Sequence, residues 1–194
     1  LVWASDHDLN SVDKLNKRIA NGDFGKICLE SDAAYESDVR AAAELIAERD
    51  GETRIVVVAG PSSSGKTTTT RKLAHYLSKK GMGLVELNVD HYFFDLEMHP
   101  VDEFGDHDFE TPQALDLPLI NQHIKQLLAG EEVMTPAYDF KTGTRKLDQI
   151  PMKIKPTDII LIDSLHGLYG DMLDGVEEST VFKIYIETLL QMKG

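Results

Sequence analysis

The chain has 194 residues, 42% of them hydrophobic and 27% charged, and its 33 acidic against 20 basic side chains give a formal net charge of −13. That size holds one domain, with at most an appended piece, and supplies enough apolar material for a sizeable core. The acidic balance argues against a nucleic-acid or anionic-membrane surface, so a polyanionic ligand has to be captured by a local site. No apolar run reaches the length of a membrane span and nothing resembles a secretory leader. The single cysteine, Cys28, has no partner for an internal disulfide. It reads as a buried small hydrophobe in the strand-like stretch Lys26–Glu30, in a chain of the reducing cytoplasm. A start at Leu1 rather than Met, and an end soon after a strand-like run, read as a fragment of something longer.

In chain order, a short helix is expected from about Ser11 to Ala20, closed by Asn21-Gly22. A clearer one covers residues 33–49, where Val39, Ala42, Ala43 and Ile46 recur at helical spacing. A strand over residues 54–59 leads through a Gly/Ser-rich turn into a helix reaching about Lys80. Residues 84–89 read as a second strand ending at Asp90, and the acidic, aromatic stretch 91–112 as a loop region of the kind that carries function. Asp116 is an N-cap for a helix through Leu117, Ile120, Ile124, Leu127 and Leu128, stopped by Gly130. Residues 133–140 and 146–154 form a hairpin around Thr142-Gly143. Asp158-Ile-Ile-Leu-Ile-Asp163 is almost wholly apolar, as a buried parallel strand is, and 181–186 is another strand. Strands alternating with helices give an α/β fold with a parallel sheet and helices on both faces, plus a small hairpin. The expected organisation is a helical extension or linker over residues 1–50 and a phosphate-loop domain over 51–194.

The Gly/Ser-rich turn is the most informative segment. Gly60-Pro-Ser62-Ser63-Ser64-Gly65-Lys66-Thr67 matches G-x-x-x-x-G-K-[ST] in full, between a strand and a helix as the motif requires. Its glycines let consecutive N–H groups converge at a helix N-terminus, where unpaired amides and the helix dipole favour an anion. Gly60, Ser62, Ser63, Ser64, Gly65, Lys66, Thr67 and Thr68 are therefore the expected ATP-binding residues. Lys66 reaches the terminal phosphates and the Thr67 hydroxyl ligates Mg²⁺. Asp163, closing an apolar strand, is the expected second Mg²⁺ residue, weighed against an ordinary strand-end aspartate. Asp90 also ends a strand, where the carboxyl ends of a doubly wound sheet open into the ligand crevice. There it is a candidate proton acceptor for an attacking hydroxyl, at even odds with a turn residue. His91, His99 and His107, eight apart, read as solvated loop residues rather than a zinc site. His75 and Tyr76 read as packing or solvent-facing residues.

Together these residues resemble a known family. The ordered motifs Gly60–Thr68, Val89-Asp90-His91-Tyr92, Phe109-Glu110-Thr111-Pro112, Pro136-Ala-Tyr138-Asp139-Phe140 and Ile162-Asp163-Ser164 are similar to the uridine kinase/phosphoribulokinase family over about residues 35–190. They look closest to members carrying N-terminal domains related to threonyl-tRNA synthetase. The resemblance implies ATP-dependent phosphorylation of a nucleoside 5′-hydroxyl with Mg²⁺, alternatives being another small hydroxylated metabolite or an inactive nucleotide-binding module. It implies catalytic roles for Lys66 and Asp90, ribose contact by Glu110, and a base pocket from Tyr92, Tyr138 and Phe140. Three positions depart from the pattern: Asp163 stands where the family usually has glutamate, Glu110 where uridine kinases have aspartate, and Gly143 where they have a base-contacting histidine. The family's arginine-bearing lid is expected beyond residue 190, which leaves Arg71 and Arg145 as the in-chain arginines to weigh. Oligomeric state is left open, a homo-oligomer among the options.

Overall fold

The structure, a computed structural model, describes residues 2–49, 51–61, 63–101, 104–109, 111–163 and 170–187. Its helices are Val2–Asp6 (α1), Val12–Ala20 (α2), Phe24–Glu48 (α3), Lys66–Ser78 (α4) and Leu117–Leu128 (α5). Its strands are Ile55–Ala59 (β1), Gly83–Glu86 (β2), Val133–Asp139 (β3), Thr144–Met152 (β4), Asp158–Asp163 (β5) and Val181–Tyr185 (β6), with short 3-10 turns between elements. The apolar run of β1 is buried along its whole length because it is central, paired in parallel with β5 on one side and β6 on the other. β2 adds beyond β5, giving the order β2-β5-β1-β6. All these pairings are parallel, so the carboxyl ends of the strands share one edge.

Pleating sends alternate residues of the central strands into two different cores. Ile55, Val57, Ile160 and Ile162 face a cluster completed by Ile120, Ile124 and Leu127 of α5 and by Leu87, Tyr92 and Met172. Val56, Val58, Ile159 and Leu161 face the other, completed by Leu73 and Leu77 of α4 and by Val39, Ala43 and Ile46 of α3. Apolarity on both faces hides the period of two from the sequence. Truncating a residue such as Ile160 to alanine should cost about 2–5 kcal/mol by cavity formation.

Two local expectations need correction. α3 begins at Phe24, so the stretch around Cys28 is helical, not a strand, and Cys28 is exposed. A Lys26–Glu30 pair one turn apart and an Arg18–Glu30 contact at 3.0 Å hold that end against α2. β2 stops at Glu86, because the Asn88 side chain accepts from the Asp90 N–H at 3.0 Å and turns Val89–Tyr92 into a 3-10 turn. The second half of α3 belongs to the sheet's packing cluster, with Tyr35 bonded to Thr69 at 2.7 Å and Glu36 bonded to Lys72 and Tyr76 of α4. As expected, Asp116 caps α5 by accepting from the Leu119 N–H. Among the described residues no helix is long and apolar enough to cross a membrane.

Candidate active site at the carboxyl edge of the sheet

The turn after β1 is shaped by what it cannot hold. A Cβ on Gly60 would lie 2.1 Å from the Ile186 carbonyl oxygen, whose own N–H bonds Ala59 at 2.8 Å. No side chain fits there, and the end of β6 closes over the start of the loop. Ser63 (φ 62°) and Gly65 (φ 94°) adopt the left-handed conformation, which curls the loop so that α4 starts with no side-chain cap. The first amides of α4 are thereby left for a ligand, at the positive end of the helix dipole. The Ser64 hydroxyl is buried without a hydrogen-bond partner among the described residues. Lys66 spans the loop, its ammonium donating to the carbonyls of Gly60 and Pro61 at 2.9 and 3.0 Å. Thr67 and Thr68 are exposed on the first turn. Ser62 lies outside the described residues.

Carboxylates gather at the same edge. β2 lies beside β5, with Glu86 opposite Leu161, and this brings Glu86, Asp90 and Asp163 within electrostatic reach of one another. Burial raises the pKa of all three. The Asp163 and Asp90 charges push Glu86 up further, while His91 pulls it down. Asp90, exposed as a residue but with its carboxyl against the protein, is drawn down only by His91. Asp163 is drawn down by the Lys66 ammonium and pushed up by Asp90. Asp163 thus feels the charges of both the loop lysine and Asp90. Among the described residues no three His, Cys, Asp or Glu side chains form a metal cage. A hydroxyl (Thr67) and a carboxylate (Asp163) are hard oxygen donors, which suit Mg²⁺ when phosphates and water supply the remaining ligands. Glu86 was not anticipated; its signal is an acid inside the apolar run Leu84–Val89, near the strand's carboxyl end.

Next to Asp90 stands a cluster of rings. The His91 Nδ1 accepts from the Tyr138 N–H at 3.2 Å, locking the 3-10 turn to the hairpin. Around Tyr138 lie Phe140 (4.9 Å between ring centres) and Phe93 (5.6 Å), with Phe109 5.3 Å from Phe93 and His99 4.7 Å from Phe109. The structure therefore joins Tyr138 and Phe140, as expected. Tyr92 is corrected: it has no exposed surface, and its hydroxyl pairs with His123 at 2.9 Å in the core. Burial, with the Asp116 charge second, lifts its ionisation beyond the ordinary tyrosine range. His99 is corrected too: it is 5% exposed, with Nε2 against the Phe94 carbonyl at 2.8 Å. Glu110 lies outside the described residues.

The glycine at 143 now has a physical reason. A Cβ there would lie 2.8 Å from the Leu96 Cβ, and the turn is left-handed (φ 66°). Leu96 donates to the Gly143 carbonyl, and Asp95 accepts from the Arg145 N–H. Segment 95–99 thus fills the hairpin turn and carries His99 into the ring cluster. The Arg145 guanidinium pairs with Asp116 at 2.8 Å and covers the Phe94 ring.

A parallel α/β sheet with this loop at the end of its first strand defines a phosphate-loop protein. Comparison with known proteins narrows the class. A profile of the phosphoribulokinase / uridine kinase family matches residues 55–193. The chain belongs to that family. It is 31% identical over 135 residues to the uridine kinase of Halobacterium salinarum, covering 68% of this chain and 55% of that protein. The uridine kinase of Bacillus pumilus is 30% identical over 134 residues, covering 69% of this chain and 60% of that protein. The chain therefore spans little more than half the length of these relatives. A solved structure described as a possible uridine kinase from Bacillus stearothermophilus shares the fold, at TM-score 0.53 and 21% identity over 69% of this chain and 70% of that one. The family match begins at residue 55 and gives no support to an N-terminal relationship with threonyl-tRNA synthetase.

Proposed function

We propose that the chain is the nucleotide- and acceptor-binding part of an ATP-dependent nucleoside kinase that phosphorylates a uridine-like 5′-hydroxyl. The observation that carries this reading is the convergence of the phosphate loop, Asp163 and Asp90 on the carboxyl edges of neighbouring strands, beside an aromatic pocket.

In this reading the amides of residues 63–68 and the Lys66 ammonium hold the β- and γ-phosphates. Thr67 and Asp163 would hold Mg²⁺, which neutralises phosphate charge when bound. The acceptor lies with its base on the ring cluster and its 5′-hydroxyl at Asp90. The hydroxyl oxygen forms the new bond to the γ-phosphorus while the bond to the bridging oxygen of ADP breaks. The hydroxyl proton passes to Asp90, whose raised pKa makes it a better acceptor than an ordinary aspartate. Positioning and electrostatics supply most of the rate. The test is ADP release from ATP by the full chain across a panel of nucleosides and sugars. Release that depends on an added pyrimidine nucleoside supports the reading. Release with a sugar alone moves the chain to another acceptor class, and ATP binding without turnover on any acceptor makes it a nucleotide-binding module.

A further inference from the structure

The phosphate loop is anchored from outside itself. The Thr69 hydroxyl of α4 donates to the Gly65 carbonyl at 3.1 Å, and the Thr69 N–H bonds the same oxygen at 3.0 Å. The Tyr35 hydroxyl of α3 lies 2.7 Å from the Thr69 Oγ1. A hydroxyl has one proton to give and that of Thr69 goes to Gly65, so Tyr35 is the donor to Thr69. The result is a directed chain, Tyr35 O–H to Thr69 Oγ1–H to the Gly65 carbonyl, in which each bond polarises the next. Thr69 is 5% exposed, which keeps the middle of the chain out of water.

What this chain holds is the peptide between Gly65 and Lys66. That unit is a rigid trans plane whose C=O and N–H point in opposite directions. A carbonyl held down on the first turn of α4 therefore aims the Lys66 N–H outward, into the anion site at the helix start. Gly65 has a left-handed φ of 94°, and a glycine restrains the rotation of the plane only weakly. An anchor on the carbonyl supplies the restraint that the glycine lacks. A threonine bonding back to the carbonyl four residues earlier is common in helices and by itself signals nothing. The second link, arriving from a different helix, is what sets this loop apart. Its ring is held in place by neighbours: Glu36 bonds Lys72 and Tyr76 of α4, and the Lys72 ammonium lies 5.6 Å from the centre of the Tyr35 ring. Tyr35 lies ahead of residues 55–193, the segment that the family profile matches.

We propose that Tyr35 is a positioning residue for nucleotide binding: through Thr69 it fixes the Gly65–Lys66 peptide so that the Lys66 N–H meets a bound phosphate. The helix α3 then belongs to the nucleotide site and is more than a cover for the sheet. The inference rests on the loop binding a nucleotide and adds the residue outside the loop that sets its grip.

Titration of ADP with Mg²⁺ into the full chain, well below its melting temperature, tests it. Tyr35→Phe keeps the ring and deletes the donor. It should raise the ADP Kd about 3- to 10-fold, the size of one neutral hydrogen bond. Thr69→Val, of the same shape, should raise it at least as much, and Thr69→Ser should leave it within about twofold of wild type. Because the two hydroxyls act in series, the double variant Tyr35→Phe/Thr69→Val should bind ADP within about twofold of Thr69→Val alone. Ile46→Val separates positioning from loosening. It trims the buried contact of α3 with the sheet, far along the helix from Tyr35, so it should lower the melting temperature and leave the ADP Kd within about twofold. If the Thr69 variants melt too low to titrate, Tyr35→Phe set against Ile46→Val decides. Unchanged ADP affinity in a folded Tyr35→Phe, multiplied losses in the double variant, or an equal loss in Ile46→Val overturns the inference and leaves the nucleotide site standing. No ADP binding by the wild-type chain overturns both.

Discussion

The two halves of the site are built in different ways. The phosphate half is contiguous and made mostly of backbone: a loop of eight residues whose turns and free amides follow from Gly60 and Gly65 and from an uncapped helix. The acceptor half is discontinuous and made of side chains, with Phe93, His99, Phe109, Tyr138 and Phe140 arriving from three separate segments. A backbone device is stated in full by its motif, and its ligand class comes with it. A pocket of side chains is stated only by the packing that assembles it.

Changes in the phosphate half should be the larger. Lys66→Ala removes the only loop cation and should lower kcat/KM by at least about 10²- to 10³-fold, as loss of one preorganised charge-stabilising donor does. Melting should be close to wild type, because the ammonium's hydrogen bonds among the described residues are to loop carbonyls. Near-normal turnover by that folded variant would remove the loop from the chemistry. Thr67→Ala and Asp163→Ala should each raise the Mg²⁺ needed for half-maximal activity by roughly tenfold or more, outer-shell partners alone costing 10- to 100-fold. Asp163→Glu should be tolerated. A flat Mg²⁺ response in both alanine variants would put the metal elsewhere.

On the acceptor side, Arg145→Ala should separate structure from catalysis. Loss of a half-buried, charge-assisted bond to the capping Asp116 should cost about 1.5–3 kcal/mol of stability, a drop of several degrees in melting temperature. Its kcat should stay within about twofold. A large kcat loss at unchanged stability would make it a phosphate-contacting arginine after all.

The smallest effect concerns the acidic edge. Glu86, Asp90 and Asp163 have native pKa values above their unfolded ones. Between the two, the native state binds more protons than the unfolded state. Their contribution to stability is therefore full below the unfolded values and is lost as pH rises through the raised native values. At neutral pH and without Mg²⁺, Asp90→Asn should raise the melting temperature slightly, and the gain should shrink towards pH 4. A lower melting temperature would mean that the Asp90 charge is stabilised by a partner.

Legibility followed the same division. The loop, the parallel sheet and Asp163 at a strand end could be read because each depends on local sequence or on a run buried on both faces, whereas Asp90 sits in a 3-10 turn beyond a strand that stops at Glu86. Tyr92 and His99 were misread because facing is a tertiary property. A 3-10 turn created by the Asn88 side chain aims Tyr92 inward at His123, and docking of Leu96 on Gly143 buries His99. The stretch around Cys28 has the composition of a strand, but its Glu30 is tied to Lys26 and Arg18, which favours the continuous helix. Glu86 was passed over because one acid in an apolar strand has no period to announce it.

The central claim is that a loop-bound nucleotide and an Asp90-bound hydroxyl meet at one edge of the sheet. Its most direct test compares wild type with Asp90→Asn, measuring uridine-dependent kcat and the dissociation constant for ADP on the same preparations. The account predicts a kcat loss of about 10²- to 10⁴-fold, the usual range for a general base, with ADP affinity within about threefold of wild type. A kcat loss under about threefold, or a parallel collapse of ADP binding, would contradict it.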